Sequence, residues 1–165
     1  MRLTYDFYNR HVVDVAKDLL GKTLVFGNHQ GVIIETEAYR GYDDEASHAF
    51  RGCTNRSSIM FGPPGHTYIY LIYGMYYCLN FVTEEPGQAS AVLIRGLKLP
   101  EINLNGPGKI CRYLGINKIY NDLDLVHSNQ MYVTHHEKEK APLYLETPRI
   151  GIKKATDKHW RFIVI

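Results

Sequence analysis

The chain has 165 residues, is 45% hydrophobic, and carries a formal net charge of +2 from 19 Lys and Arg against 17 Asp and Glu. This length and composition predict one globular domain and exclude a disordered chain. No apolar run approaches the roughly 20 residues of a membrane span, and no apolar signal core begins the chain, so we expect a cytosolic protein. A polyanion partner would require the basic groups to concentrate on one face.

The cysteines and tyrosines narrow the possible chemistry. Cys53, Cys78 and Cys111 are far apart and lack Cys-x-x-Cys spacing, so the sequence indicates neither a zinc site nor a disulfide framework. We expect Cys78 and Cys111 to be buried thiols. Five of the 13 tyrosines fall between Tyr68 and Tyr77. Tyrosine has a flat apolar face and a polar tip, which suit a core or a surface that stacks on bases or sugars.

The first 40 residues predict a helix followed by a β-hairpin. Asp6 or Asn9 can cap the helix, and Gly21 can end it. A strand over 22–26 and a turn over 27–30 then lead into a second strand over 32–39. The apolar stripe of the helix, at helical spacing, consists of Val12, Val13, Val15, Ala16, Leu19 and Leu20.

The second strand ends in an unusual way, because its β-branched start runs into the sequence ETEAY. In a regular strand Ile33, Glu35, Glu37 and Tyr39 share one face. Two interpretations fit this pattern: an ordinary strand that leaves the core for a turn, or a strand end that directs carboxylates into a cleft. The pattern alone does not decide between them.

A polar segment and an aromatic hairpin follow. Asp43 or Asp44 can cap a short helix that carries His48, and residues 50–58 predict a loop with exposed Arg51 and Arg56. Residues 67–82 then predict two aromatic strands that flank a tight bend at Tyr73-Gly74, which leaves the Tyr73 side chain at the tip. The side chains sharing a face are Tyr68, Tyr70 and Ile72 on one strand, and Tyr76, Cys78 and Asn80 on the other.

The rest of the chain predicts three strands and a helix. Arg95 lies on one face of a strand over 91–97, either paired or facing a ligand, or as a strand-end arginine with its charge in water. A helix over 109–114 stops at Gly115, and its start either holds a phosphate or is an ordinary helix terminus. One strand is expected within 122–133 and another over 160–165. The run over 135–140 is charged and solvated, and its adjacent histidines lack metal-ligand spacing.

Five stretches together resemble the alkyladenine (3-methyladenine) DNA glycosylase family. In the family's order they are GVIIETEAYRGYDDEASHAF, MFGPPGHTYIYLIYGMYYCLN, AVLIRGL, NGPGKICRYLGI and PRIGI. The chain departs from typical members in a shorter connection after Arg95 and in ending soon after residues 160–162. With the predicted elements, the resemblance leads us to expect an α+β, single-domain fold. We expect a curved, mostly antiparallel β-sheet with flanking helices and a protruding β-hairpin.

The resemblance implies an enzyme that flips a damaged purine out of duplex DNA and hydrolyses its N-glycosidic bond, leaving an abasic site. The second glutamate of ETEAY, Glu37, is the implied general base, with Glu35 as the alternative, and Arg95 helps to hold the water. A carboxylate there suits both proton abstraction and stabilisation of an oxocarbenium-like sugar. The implied base-binding residues are Tyr39, His48, Tyr70 and Asn80. The implied intercalating residue is Tyr73. The expected phosphate contacts are Arg51, Arg56, Arg95 and Lys109.

The expected partner is double-stranded DNA containing damaged purines, bound by a monomer with no membrane contact. No metal or cofactor is expected, and no lysine in the motifs indicates a Schiff-base lyase step. A non-catalytic module that stacks on damaged or single-stranded nucleic acid is the alternative, although it would gain nothing from a carboxylate facing DNA. A carbohydrate hydrolase using Glu35 and Glu37 fails on geometry, because residues two apart on a strand lie roughly 6–7 Å apart on the same side.

Overall fold

The computed structural model describes residues 1–136 and 140–165. The centre of the predicted charged run, residues 137–139, lies outside the described residues. The helices are α1 (Tyr5–Tyr8), α2 (Val12–Leu19) and α3 (Pro107–Leu114), and short 3-10 helices span Ser58–Phe61 and Lys118–Tyr120. The strands are β1 (Thr23–Phe26), β2 (His29–Arg40), β3 (Thr67–Ile72), β4 (Tyr76–Thr83), β5 (Ser90–Lys98), β6 (Asn103–Asn105), β7 (Met131–Thr134), β8 (Tyr144–Thr147) and β9 (Arg161–Val164).

These nine strands form one curled antiparallel sheet in the described part of the chain, and the α+β prediction is confirmed. The main path runs β3-β4-β5-β2-β1-β7, with β6 on β5 and β9 between β2 and β8. The predicted β1–β2 and β3–β4 hairpins are present, and β3–β4 protrudes at Tyr73. No described helix is long and apolar enough to cross a membrane.

Strand alternation separates the core face of the sheet from the site face. On β5, Val92 and Ile94 enter the main hydrophobic cluster, together with α2 and α3. The intervening Ala91, Leu93 and Arg95 point to the opposite face, where they line a cavity. The prediction that Arg95 shares a face with Ala91 and Leu93 is therefore confirmed. On this face the charge of Arg95 lies outside the hydrophobic core.

A β-bulge changes the predicted face of β2. Ile33 pairs with Leu97 and Glu35 with Gly96, so Ile34 has no opposite residue, and a second register shift follows Glu35. Ile33 consequently lies in the main core, whereas Glu37 lines the cavity. The prediction that Ile33 shares a face with the two glutamates was wrong, because the extra residue reverses the alternation.

Two local predictions near the N-terminal half were also wrong. The α2 helix is capped by His11, whose side chain accepts a hydrogen bond from the backbone N–H of Val13, and not by Asp6 or Asn9. Residues 43–48 form turns instead of a short helix. Asp44 is buried there and accepts hydrogen bonds from the backbone N–H groups of Arg40 and Ala46. A carboxylate with such local partners stabilises a turn in competition with a helix.

Candidate active site

A cavity of about 780 Å³ lies on the site face of the sheet. Its size is within the range of pockets that enclose a small organic ligand. The walls come from β2, β3, β4 and β5, from the start of α3, and from the segment over 150–154. Of the sequence-predicted residues, the cavity brings together Glu37, Tyr39, His48, Arg56, Tyr70, Tyr73, Asn80, Arg95 and Lys109. Arg51 is exposed and does not line it.

Glu37 lies in the cavity wall with both carboxylate oxygens hydrogen-bonded. Its Oε1 accepts a bond of 2.9 Å from the Tyr39 hydroxyl, and its Oε2 accepts one of 2.7 Å from the backbone N–H of Ile150. The Arg95 guanidinium lies 3.8 Å from Oε1. Glu37 is 0% exposed, so a water molecule reaches it only when one of these neighbours shifts. The oxygens face polar cavity groups and not the hydrophobic core.

The surroundings of Glu37 shift the pKa of its carboxyl group. Removal from water raises the pKa of the carboxyl group above its usual value. Arg95, the Ile150 N–H and the Tyr39 hydroxyl each oppose that change, since they stabilise the charged form. The net effect is a carboxyl group whose pKa lies above that of an exposed glutamate, which suits a general base.

Glu35 has a different set of partners. It accepts hydrogen bonds from Nε of Arg95 at 3.3 Å and from Nε of Arg161 on β9. It does not line the cavity. The sequence left open whether Arg95 was paired or had its charge in water, and the structure pairs it with both Glu35 and Glu37.

The aromatic side chains form one wall of the cavity. The His48 and Tyr70 rings lie 4.4 Å apart, and Nδ1 of His48 is 3.1 Å from the Tyr68 hydroxyl. His48 keeps part of its surface exposed, yet burial of its ring and the charge of Arg56 lower its pKa to about 4. The ring is therefore neutral at physiological pH, and the wall adds no positive charge of its own at this point.

Asn80 and Cys78 lie at the base of the aromatic wall. The Asn80 amide nitrogen donates to the carbonyl groups of Tyr68 at 3.1 Å and Cys78 at 3.4 Å. These bonds fix the side chain so that its position is set by the β3–β4 backbone. Cys78 is buried as predicted, and burial raises the pKa of its thiol to about 11. It is therefore a neutral thiol and not a reactive thiolate at pH 7.

The β3–β4 hairpin carries Tyr73 at its tip. Tyr73 is 87% exposed and has a φ of 52°, and Gly74 follows with a φ of 64°. Two consecutive residues with positive φ make a tight turn that matches the twist of the strands. Met75, next on the hairpin, is 69% exposed and was not singled out from the sequence. The tip of the hairpin thus presents Tyr73 and Met75 to solvent, and Leu71 and Tyr76 beside it are also exposed.

The segment over 149–154 contributes residues that sequence reasoning missed. Ile150, Lys153 and Lys154 line the cavity, and Arg149 is buried behind it. The PRIGI motif was recognised, but no periodicity or spacing indicated a role for its residues. A long-range contact, the hydrogen bond from the backbone N–H of Ile150 to Glu37 on β2, connects this segment with the cavity. No described group of three or more His, Cys, Asp or Glu side chains could hold a metal ion.

Comparison with known proteins identifies one family to which the chain is similar. The model of the family described as methylpurine-DNA glycosylase (MPG) matches residues 6–165. A protein from Ehrlichia ruminantium (strain Welgevonden) is 50% identical over 98% of this chain and 88% of its own length. One from Wolbachia pipientis subsp. Culex pipiens (strain wPip) is 54% identical over 97% and 88%, and one from Sodalis glossinidius is 53% identical over 97% and 95%. All three are provisionally named 3-methyladenine DNA glycosylase.

The curled sheet therefore carries an aromatic cavity beside a buried carboxylate and an exposed aromatic hairpin, and the similar proteins place the chain in the class of DNA glycosylases. The chain belongs to the methylpurine-DNA glycosylase family, whose model matches nearly its whole length.

Proposed function

We propose that this protein removes alkylated or otherwise damaged purines, of the 3-methyladenine type, from duplex DNA. Water attacks the anomeric carbon, the N-glycosidic bond breaks, and an abasic site and a free base remain. The observation that carries this proposal is the position of Glu37, whose carboxylate lies beside an aromatic cavity of about 780 Å³. A stacking module alone has no use for a buried carboxylate at that point.

Glu37 is the proposed general base. It takes a proton from the attacking water, and its charge stabilises the oxocarbenium character of the sugar in the transition state. Arg95, 3.8 Å from Oε1, holds the same water and a nearby phosphate. Arg95 is the most distant of the three polar partners of the carboxylate, so the water is proposed to enter between Arg95 and Oε1. Tyr39 and Ile150 keep their hydrogen bonds to Glu37.

Tyr39, Tyr70 and His48 are the proposed sandwich for the extruded base. An alkylated purine is electron-poor and often cationic, so it stacks well on electron-rich rings, and such contacts contribute about 1–2 kcal/mol when desolvated. The neutral state of His48 supports this, since a charged imidazolium would repel a cationic base. Asn80 is the proposed steric screen against the exocyclic amino group of guanine.

Tyr73 is the proposed wedge that replaces the lost stacking when the base leaves the duplex, at a cost of a few kcal/mol for unstacking. The basic side chains at the cavity rim are the proposed phosphate contacts. They are Arg56 and Lys109, as the sequence predicts, with Lys153 and Lys154 added from the structure. Arg51, exposed in the same loop as Arg56, contributes from outside the cavity.

The test is a panel of duplexes that each contain one modified purine, including 3-methyladenine, hypoxanthine and ethenoadenine, scored for strand breaks after alkali. The wild-type protein is expected to release at least one of these bases. Glu37→Gln is expected to bind the same duplex while release slows by a factor on the order of 10²–10⁴. Binding without release by the wild type would instead support a non-catalytic module.

Glu35→Gln is the matched control, since it makes the same chemical change two residues earlier on β2. We expect a smaller loss of release than for Glu37→Gln, caused by a less well-held Arg95. A larger loss with Glu35→Gln than with Glu37→Gln would transfer the general-base role to Glu35.

A further inference from the structure

Arg149 forms a buried ion pair with Asp44 behind the cavity. Its Nη1 lies 2.6 Å from Oδ2 of Asp44 and its Nη2 lies 2.8 Å from Oδ1, so the two groups face each other as a two-bonded fork. Both side chains are 0% exposed. A buried ion pair is weak evidence for stability, because an apolar pair of similar volume often serves as well. Its presence here calls for another explanation.

The ion pair joins three separate parts of the chain. Nη1 of Arg149 also donates to the carbonyl oxygen of Ala38 on β2 at 2.9 Å, and Nη2 donates to that of Ala155 at 3.3 Å. Asp44 in turn accepts from the backbone N–H groups of Arg40 and Ala46. The end of β2, the turns that lead to His48, and the segment over 149–155 are thereby held by one guanidinium and one carboxylate.

Arg149 also lies next to the two groups that donate hydrogen bonds to Glu37. Its guanidinium carbon lies 4.7 Å from the centre of the Tyr39 ring and 5.4 Å from the centre of the Trp160 ring. The next residue in the chain, Ile150, donates its backbone N–H to Oε2 of Glu37. The hydroxyl that donates to one carboxylate oxygen therefore belongs to a ring that Arg149 contacts, and the amide that donates to the other belongs to the residue next to Arg149.

We propose that Arg149, oriented by Asp44, is a positioning residue for base release, which sets the Tyr39 ring and the Ile150 N–H against Glu37. This inference rests on the proposed function, because it assigns Arg149 a part in the reaction that Glu37 performs. Arg149 lies behind Tyr39 and touches no substrate. A shift of about 1 Å in such supporting groups can slow a reaction on the order of 10²-fold.

The charge of Arg149 gives the proposal a measurable signature. When Arg149 is replaced, Glu37 loses a nearby positive charge, and the Ile150 N–H is displaced from its carboxylate. Both changes make the charged form of Glu37 less stable and raise its pKa, so the acid limb of the pH–rate profile moves to higher pH. The titratable and charged groups around Glu37 that remain are Tyr39 on β2, Tyr70 on β3, Cys78 on β4, Arg95 on β5 and Arg161, its register partner on β9.

The test compares Arg149→Lys and Arg149→Met with wild type in single-turnover release at saturating protein, across pH. We expect Arg149→Met to slow release on the order of 10²-fold and to move the acid limb upward. Arg149→Lys keeps the charge but not the fork, so we expect partial recovery of both quantities. Arg149→Met leaves Asp44 buried and unpaired. If the Arg149→Met protein does not fold, the Asp44→Asn and Arg149→Lys proteins are compared with wild type instead.

Arg40→Met is the matched control, because Arg40 forms a second largely buried pair with Glu84 at 3.0 Å and contacts neither Glu37 nor the Tyr39 ring. It is expected to lower the melting temperature without moving the acid limb. If the Arg149 variants behave in the same way, with an unchanged rate per folded molecule, the role is structural and the inference is wrong. If the wild type releases no base from any duplex, the proposed function itself fails, and this inference with it.

Discussion

The hydroxyl group of Tyr39 donates a hydrogen bond of 2.9 Å to Oε1 of Glu37, two residues earlier on the same strand. Side chains two apart on a strand share a face, so the strand alone brings a stacking ring and a carboxylate into contact. The same tyrosine therefore has two functions in the proposed reaction: its ring stacks on the base, and its hydroxyl stabilises the charged form of Glu37.

Tyr39→Phe should separate these two functions. The ring stays, so affinity for damaged duplex is expected to change little. The lost hydrogen bond removes a stabilising partner of the carboxylate, which raises the pKa of Glu37 further. Glu37 must be deprotonated to act as the general base, so release is lost as pH falls through the pKa of Glu37. The acid limb of the pH–rate profile therefore moves to higher pH. Single-turnover rates between about pH 4 and 8 measure this, covering the ordinary carboxyl and histidine ranges.

Tyr70→Phe is the comparison for that measurement, because the Tyr70 hydroxyl is hydrogen-bonded to Cys78 and acts on Glu37 only through longer-range electrostatics. It is expected to leave the midpoint of the acid limb in place. An equal displacement in both variants would contradict the assignment of the limb to the Tyr39–Glu37 bond.

Tyr73→Ala is expected to weaken binding to lesion-containing duplex more than it slows release within the bound complex. Loss of one stacked ring costs about 1–3 kcal/mol, which corresponds to a roughly 5- to 150-fold increase in Kd. Binding titrations and single-turnover rates at saturating protein measure the two effects separately. Tyr5→Ala is the control, because Tyr5 is a 42% exposed tyrosine away from the cavity. Equal affinity of the Tyr73 and Tyr5 variants would remove Tyr73 as the wedge.

Lys153→Ala and Lys154→Ala are expected to reduce the salt dependence of DNA binding. Each lost phosphate contact lowers the slope of log K against log salt concentration by about 1. The reduction should be the same for damaged and undamaged duplexes, because phosphate contacts carry no base information. Lys118→Ala, an exposed lysine outside the cavity, should leave the slope unchanged. A slope that is insensitive to both rim lysines would place the phosphate contacts elsewhere.

Gly96→Ala is expected to destabilise the protein by about 1–3 kcal/mol, the usual cost of overpacking. A Cβ atom at Gly96 would lie 2.9 Å from Cβ of Glu35 and 3.0 Å from Cγ1 of Ile34, at the bulge in β2. Glu35 would be displaced, and with it the bond that holds Arg95. Urea unfolding gives the free energy change, and single-turnover release should fall as well. Wild-type values for both would show that the bulge adapts without cost.

Local sequence determined the elements whose causes are local. The end of α3 at Gly115, the β1–β2 hairpin and the Tyr73-Gly74 bend were all predicted and are present. Residues two apart, such as Glu37 and Tyr39, could be assigned to one face because strand alternation is a property of the chain itself. The family motifs then supplied roles that alternation could not.

Tertiary structure decided what depends on distant partners. The bulge that places Ile33 in the core is set by the pairing of β2 with β5. The Asp44 carboxylate, which stabilises its own turn, is also paired with Arg149, more than a hundred residues later. The backbone N–H of Ile150 meets Glu37 across a similar separation. Such contacts cannot be predicted from the spacing of residues along the chain, because only the packing of the whole fold brings these groups within hydrogen-bond distance.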